Sequence, residues 1–80
     1  MMYLENYLKN LTDKELEEIF FEILHYNKTG TLKKNGLTRR VVNSYKKEIG
    51  VPLTETPESL ISFFLFEMAR RKYYTGEDSL

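Results

Sequence analysis

Apolar residues recur every three to four positions in four separate segments of the chain, and glycine, proline or polar residues lie between the segments. This spacing places the apolar side chains of each segment on one face of an α-helix. The pattern predicts a short helix over residues 3–9 and three longer helices over about residues 12–28, 37–49 and 56–74. We therefore expect an all-α fold, a small bundle of three main helices plus a short N-terminal helix.

The second helix has the clearest predicted start. Thr12 and Glu15 fit a capping box, in which the Thr12 hydroxyl accepts from the Glu15 amide and the Glu15 carboxylate accepts from the Thr12 amide. Gly30 is a suitable residue for the end of this helix. Its predicted buried stripe consists of Leu16, Ile19, Phe20, Ile23 and Leu24.

The third and fourth helices are bounded by residues that end or start helices. Gly50 and Pro52 end the third helix. Thr56 is the predicted N-cap of the fourth helix, and Pro57 is its predicted first residue. The apolar stripe of the third helix consists of Leu37, Val41, Tyr45 and Ile49.

The segment between the second and third helices, residues 29–37, contains Asn35-Gly36, a pair that is typical of tight hairpin turns. Its flanking residues do not alternate between apolar and polar, so we expect a plain loop. The connection is about eight residues long, whereas the helix-turn-helix motif of DNA-binding proteins has a turn of about three to four residues.

The fourth helix is apolar on more than one side. Helical stepping places Leu60, Phe64 and Met68 on one side, and a patch that we call the aromatic face on another. Two interpretations follow: either the helix is surrounded by the other three, or its aromatic face is open until a partner covers it. The aromatic face consists of Phe63, Phe66 and Tyr73.

Composition limits the class of protein. Eighty residues form at most one domain, here residues 1–80 with residues 75–80 as a frayed tail. Cysteine is absent, which excludes disulfides and thiolate zinc sites, and no segment is long and apolar enough to span a membrane. The N-terminus also lacks the pattern of a signal peptide, so we expect a cytoplasmic protein. Frequent residues with AT-rich codons indicate a low-GC bacterium, or a phage or mobile element of one.

Charge is unevenly distributed although the net charge is zero. Residues 1–27 carry a net charge of −4, residues 28–47 carry +7 without a single acid, and residues 48–80 carry −3. We interpret the middle segment as a surface that contacts phosphate or an acidic protein, or else as a solvated helix face that Glu17, Glu18 and Glu22 partly neutralise. This basic surface consists of Lys33, Lys34, Arg39, Arg40, Lys46 and Lys47.

Motifs for catalysis, cofactors and metals are absent. The sequence contains no phosphate-binding glycine loop, no dinucleotide fingerprint and no zinc-protease or calcium-binding pattern. The single histidine, His25, is predicted to be exposed opposite the apolar stripe of its helix, and Glu18 with Glu22 is more typical of a solvated face than of a metal site. We expect no catalytic residue, no metal and no cofactor.

These observations favour a small, non-enzymatic regulatory or inhibitory module that binds another protein with an acidic patch. The predicted contacts are the basic surface, the aromatic face, or both, and a homodimer through the aromatic face is consistent with the pattern. The alternative is a small nucleic-acid-binding regulator that uses residues 28–47. The zero net charge disfavours this alternative, because dedicated nucleic-acid-binding domains are usually basic as a whole.

Overall fold

The computed structural model describes residues 3–50 and 54–73, and these residues form a helical bundle. Helix α1 spans Leu4–Leu8, α2 spans Asp13–Thr29, α3 spans Leu37–Ile49 and α4 spans Ile61–Tyr73. The described ranges contain no β-strand. The predicted all-α architecture of three main helices and one short helix is therefore confirmed.

The predicted ends of α2 and α3 are also confirmed. The Thr12 hydroxyl accepts from the Glu15 amide at 3.0 Å, and the Glu15 carboxylate accepts from the Thr12 amide at 2.8 Å, which completes the capping box. Gly30 and Gly50 follow the two helices with φ angles of 80° and 70°. Glycine adopts this left-handed conformation without the steric cost that a Cβ atom brings.

The fourth helix begins differently from the prediction. Residues Glu58–Leu60 form a turn of 3₁₀-helix, and the α-helix starts only at Ile61. Thr56 still acts as a cap, because its hydroxyl accepts from the Ser59 amide at 3.2 Å. The tighter 3₁₀ turn is common where a helix starts. The predicted last residue of this helix, 74, and the predicted tail 75–80 lie outside the described residues.

One core joins the four helices around Phe64, which is completely buried. Helix α4 contacts α1 and α2, and α2 contacts α3. The rings of Tyr7 and Tyr45 lie 5.4 Å apart and connect α1 to α3. Leu32 is also buried and holds the loop between α2 and α3 against the bundle, a plain loop as predicted. The core consists of Leu4, Leu8, Leu16, Ile19, Ile23, Val41, Val42, Tyr45, Leu60 and Phe64.

The buried stripe of α2 is rotated relative to the prediction. Phe20 and Leu24, which were expected in the core, are 41% and 36% exposed, whereas Glu22 is buried. The reason is that the start of α3 lies against the side of α2 that carries Glu22, as the hydrogen bonds below show. Within the described residues, no helix has the length and apolar content needed to cross a membrane.

Candidate interaction surfaces

The basic surface is exposed for the most part. Lys33 and Lys34 lie in the loop before α3, and Arg40 and Lys47 lie seven positions apart on the outer side of α3, where all four are exposed. Lys46 is partly buried at the edge of the same helix. Among the described residues, no carboxylate forms an ion pair with any of these five side chains. Their charge is thus directed to solvent.

Arg39 differs from the other members of the basic surface, because its side chain folds back onto the protein. Its Nη2 atom lies 2.7 Å from Oε2 of Glu58 and donates to the Leu32 carbonyl, while its Nε donates to the Lys33 carbonyl. One guanidinium therefore holds the loop before α3 to the turn before α4. The sequence pattern places Arg39 away from the apolar stripe but does not reveal this partner.

Glu22 is not a solvated acid, because its carboxylate is buried and accepts hydrogen bonds inside the fold. It accepts from the backbone amides of Leu37 and Thr38 at 2.8 and 2.9 Å, and from the Thr38 hydroxyl at 2.8 Å. These amides belong to the first turn of α3, where helical amides have no partner within the helix. Glu22 thus caps α3 from a different helix, which sequence reasoning missed.

Two further observations define this cap. Burial acts to raise the pKa of the Glu22 carboxyl, but hydrogen bonds from Thr38 and Leu37 and the charge of Lys33 outweigh it and hold the pKa below its usual value. Gly36 leaves the space that the carboxylate occupies, since a Cβ atom at this position would lie 2.6 Å from Oε2 of Glu22. The cap therefore needs an acid on α2 and a glycine before α3.

The aromatic face is open. Phe63, Phe66 and Tyr73 are 40%, 61% and 75% exposed. Nζ of Lys72 lies 5.9 Å from the centre of the Tyr73 ring, within the range of a weak cation–π contact. Helix α4 is thus surrounded on its inner side only, by α1 and α2.

A shallow apolar depression of about 300 Å³ lies between α4 and α2. Phe20 and Leu24 of α2 line it together with Ile61 and Leu65 of α4. Leu65 directly precedes Phe66 in the chain, and one helical step of about 100° separates them, so the depression lies on a different side of α4 from the aromatic face. The two α2 residues that were expected in the core therefore belong to one exposed apolar area with α4.

An ion cluster surrounds one buried carboxylate of α4. The buried Glu67 carboxylate accepts two hydrogen bonds from Arg70, at 3.1 and 2.8 Å, and one from Arg71 at 2.6 Å. Arg71 also pairs with Asp13 and donates to the carbonyls at the end of α1. Burial acts to raise the pKa of Glu67, but the two guanidinium groups hold it below its usual value.

His25 is exposed, as predicted, and lines a surface depression of about 540 Å³. Glu18, Phe21 and Lys33 share this depression. Among the described residues, the His25 ring has no hydrogen bond to a hydroxyl or carboxylate, and no group of three acidic or histidine side chains is placed to hold a metal ion. This geometry does not pair a nucleophile with a base.

Comparisons with protein-family models, with curated proteins and with solved structures give no match for this chain. The two exposed surfaces are therefore the features from which a function has to be inferred.

Proposed function

We propose that this protein acts by binding another protein through its basic surface, as a small regulatory or inhibitory module without catalytic activity. The observation that carries the proposal is the exposure of Lys33, Lys34, Arg40 and Lys47, four cations from a segment that contains no acid. A surface of one charge sign attracts a partner of the opposite sign and orients it before contact. The partner we propose is a protein with an acidic patch.

Glu22 and Arg39 limit which charges a partner can use. The buried Glu22 carboxylate accepts hydrogen bonds from the first turn of α3 and still attracts Lys33, so it offsets part of the charge of Lys33. Since Arg39 is also paired internally, the charge available to a partner comes from the remaining five residues of the basic surface. Variants of Arg40 and Lys47 therefore test the surface better than variants of Arg39.

The charge of the remaining chain favours a protein over a nucleic acid as the partner. Residues 1–27 and 48–80 carry net charges of −4 and −3. Exposed acids such as Glu17 and Glu18 on α2 would repel a long phosphate backbone more than a compact acidic patch. The composition further suggests the setting, which we propose is the cytoplasm of a low-GC bacterium or of a host that carries its phage or mobile element.

Nucleic-acid binding is the second candidate, and one observation favours it. Arg40, Asn43 and Lys47 are exposed at positions that share the outer side of α3. An α-helix fits the major groove of DNA, and arginine, asparagine and lysine are side chains that contact bases and phosphates there. The salt dependence of direct binding separates this candidate from the first.

An affinity capture tests the proposed function. The immobilised protein is exposed to lysate of the organism that encodes it, with and without nuclease treatment, and the Arg40→Glu/Lys47→Glu double variant is compared with Lys9→Glu/Lys14→Glu. Both variants change the net charge equally, but Lys9 and Lys14 are exposed outside the basic surface. We expect the wild type and the Lys9/Lys14 variant to retain the same acidic protein and the Arg40/Lys47 variant to lose it. Equal capture by both variants, or capture that nuclease abolishes, would overturn the proposal.

A further inference from the structure

We propose that the aromatic face is a homodimer interface in which two α4 helices pair antiparallel, with Phe66 of each copy at the two-fold axis. This inference does not rest on the proposed function, because the basic surface and the aromatic face have no residue in common. It concerns the large apolar area that the bundle leaves uncovered.

The first argument is the amount of apolar area. With about 200 Å² for a whole aromatic side chain, the exposed parts of Phe63, Phe66 and Tyr73 add up to roughly 350 Å². The interfaces of weak complexes cover less than about 600 Å² per subunit, and about 65% of a homodimer interface is apolar, which requires up to about 400 Å². The open area therefore matches a small interface, that of a dimer that forms at high protein concentration.

The second argument is charge, which excludes the basic surface from self-association and permits the aromatic face. Two basic surfaces would bring like charges together. On the aromatic face, the central charged residue is Arg70, and the buried Glu67 carboxylate neutralises it through two hydrogen bonds. Arg70 can therefore lose its water without becoming an unpaired charge.

The third argument is the register of α4. In an antiparallel pair with its two-fold axis at Phe66, the residue three positions before Phe66 lies opposite the residue four positions after it in the second copy. The residue four positions before Phe66 likewise lies opposite the residue three positions after it, because these pairs share one side of the contact. Phe63 then faces Arg70 of the second copy, and Ser62 faces Ala69 of the second copy. An arginine held flat by a bidentate carboxylate is a good surface for an aromatic ring to stack on, and serine with alanine allows close approach of the two helices.

The partner we infer is thus a second copy of this chain, since one face supplies both halves of each contact. It carries both the aromatic ring and the neutralised guanidinium that stack on each other, and it places small residues beside the large residue at the axis. Cyclic dimers with such self-complementary surfaces are the commonest oligomers. The helix is also long enough for these contacts, because its thirteen residues span about 20 Å, with five residues before Phe66 and seven after it.

Sedimentation velocity over a range of concentrations tests the dimer. We expect the wild type to dimerise and Phe66→Glu to raise the dissociation constant by about 30-fold or more, the effect of losing an interface hot spot. Phe21→Glu is the matched control, because Phe21 is exposed to a similar degree, 58% against 61%, on the outer side of α2. Circular dichroism of each variant verifies that the helices remain folded.

A mixing experiment tests the position of the axis. Phe66→Lys and Phe66→Glu should each be monomeric alone, and their equimolar mixture should form a heterodimer because the two new charges meet across the axis. A wild type that is monomeric at the highest concentrations, a dimer that Phe21→Glu disrupts as much as Phe66→Glu does, or a mixture that does not associate would overturn the proposal. None of these results depends on the basic surface, so failure here is distinguishable from failure of the proposed function.

Discussion

Glu22 on α2 holds Thr38 on α3 by two hydrogen bonds to the same carboxylate oxygen, one from the Thr38 amide at 2.9 Å and one from its hydroxyl at 2.8 Å. The second oxygen accepts from the Leu37 amide at 2.8 Å. The side chain is negatively charged and lies at the positive end of the α3 dipole, so its charge, its hydrogen bonds and its position all stabilise the same contact between helices.

Glu22→Gln should therefore lower the free energy of unfolding by about 1.5–3 kcal/mol, the cost of losing hydrogen bonds to a charged group at a buried site. The amide has one oxygen where two acceptors are needed, and its NH₂ group would face a backbone donor. Urea denaturation followed by circular dichroism measures the change. Glu17→Gln on the exposed side of the same helix is the control, and an equal effect of both substitutions would show that the cap contributes no stability.

Stability should fall in acid, and Glu22 and Glu67 should account for much of the loss. The pKa of each carboxyl is lower in the folded protein than in a free glutamate, about 4.3, so the unfolded chain binds more protons as the pH falls through that value. Their contribution is complete well above the unfolded pKa and is lost as the pH falls towards the lower folded pKa. Denaturation at about pH 7 and about pH 3.5 should therefore differ more in the wild type than in Glu22→Gln, and an identical difference would exclude a role for Glu22.

Gly36→Ala tests the space beside this cap. The backbone of Gly36 has a φ of −81°, which any residue can adopt, so the predicted cost comes only from the contact of the new Cβ with Glu22. We expect a loss of about 1–3 kcal/mol in the wild type and a much smaller loss in the Glu22→Ala background. Denaturation of the four proteins gives the coupling energy, and additive effects would contradict the proposed contact.

Phe64 and Phe66 are two positions apart, but their replacement by alanine should change the stability of the protein by very different amounts. Phe64→Ala should cost about 3–5 kcal/mol, which is enough to unfold a domain of this size, because its side chain is completely buried. Phe66→Ala, measured at a concentration low enough to exclude association, should change the stability by less than about 1 kcal/mol. Thermal melts followed by circular dichroism distinguish the two, and comparable losses would place Phe66 in the core.

The helices could be predicted from the sequence because their signals are local. The capping box of Thr12 and Glu15, the stop at Gly50 and the period of the apolar residues each involve neighbours within one or two turns. The position of Phe64 in the core followed from the same period, whereas the period left open whether the aromatic face is covered by another helix.

The rest could not be predicted because it depends on contacts between distant residues. Glu22 has the spacing of a solvated acid until α3 places two amides against it, and Arg39 has the spacing of a surface base until Glu58 reaches it. The rotation of α2 that exposes Phe20 and Leu24 follows from the same docking of α3. A periodic pattern finds the apolar side of a helix, but not the polar residue that a neighbouring helix covers.

The proposal that the basic surface meets a protein and not a nucleic acid is tested most directly by titrating labelled duplex DNA and single-stranded RNA with the protein and following fluorescence anisotropy. At a salt concentration of about 0.15 M we expect weak binding or none, because the acidic flanks of the chain oppose the phosphate backbone. Sub-micromolar binding would contradict the account if log affinity fell against log salt by about 0.9 for each duplex phosphate contacted and Arg40→Ala with Lys47→Ala abolished it. That result would establish nucleic acid as the partner of the basic surface.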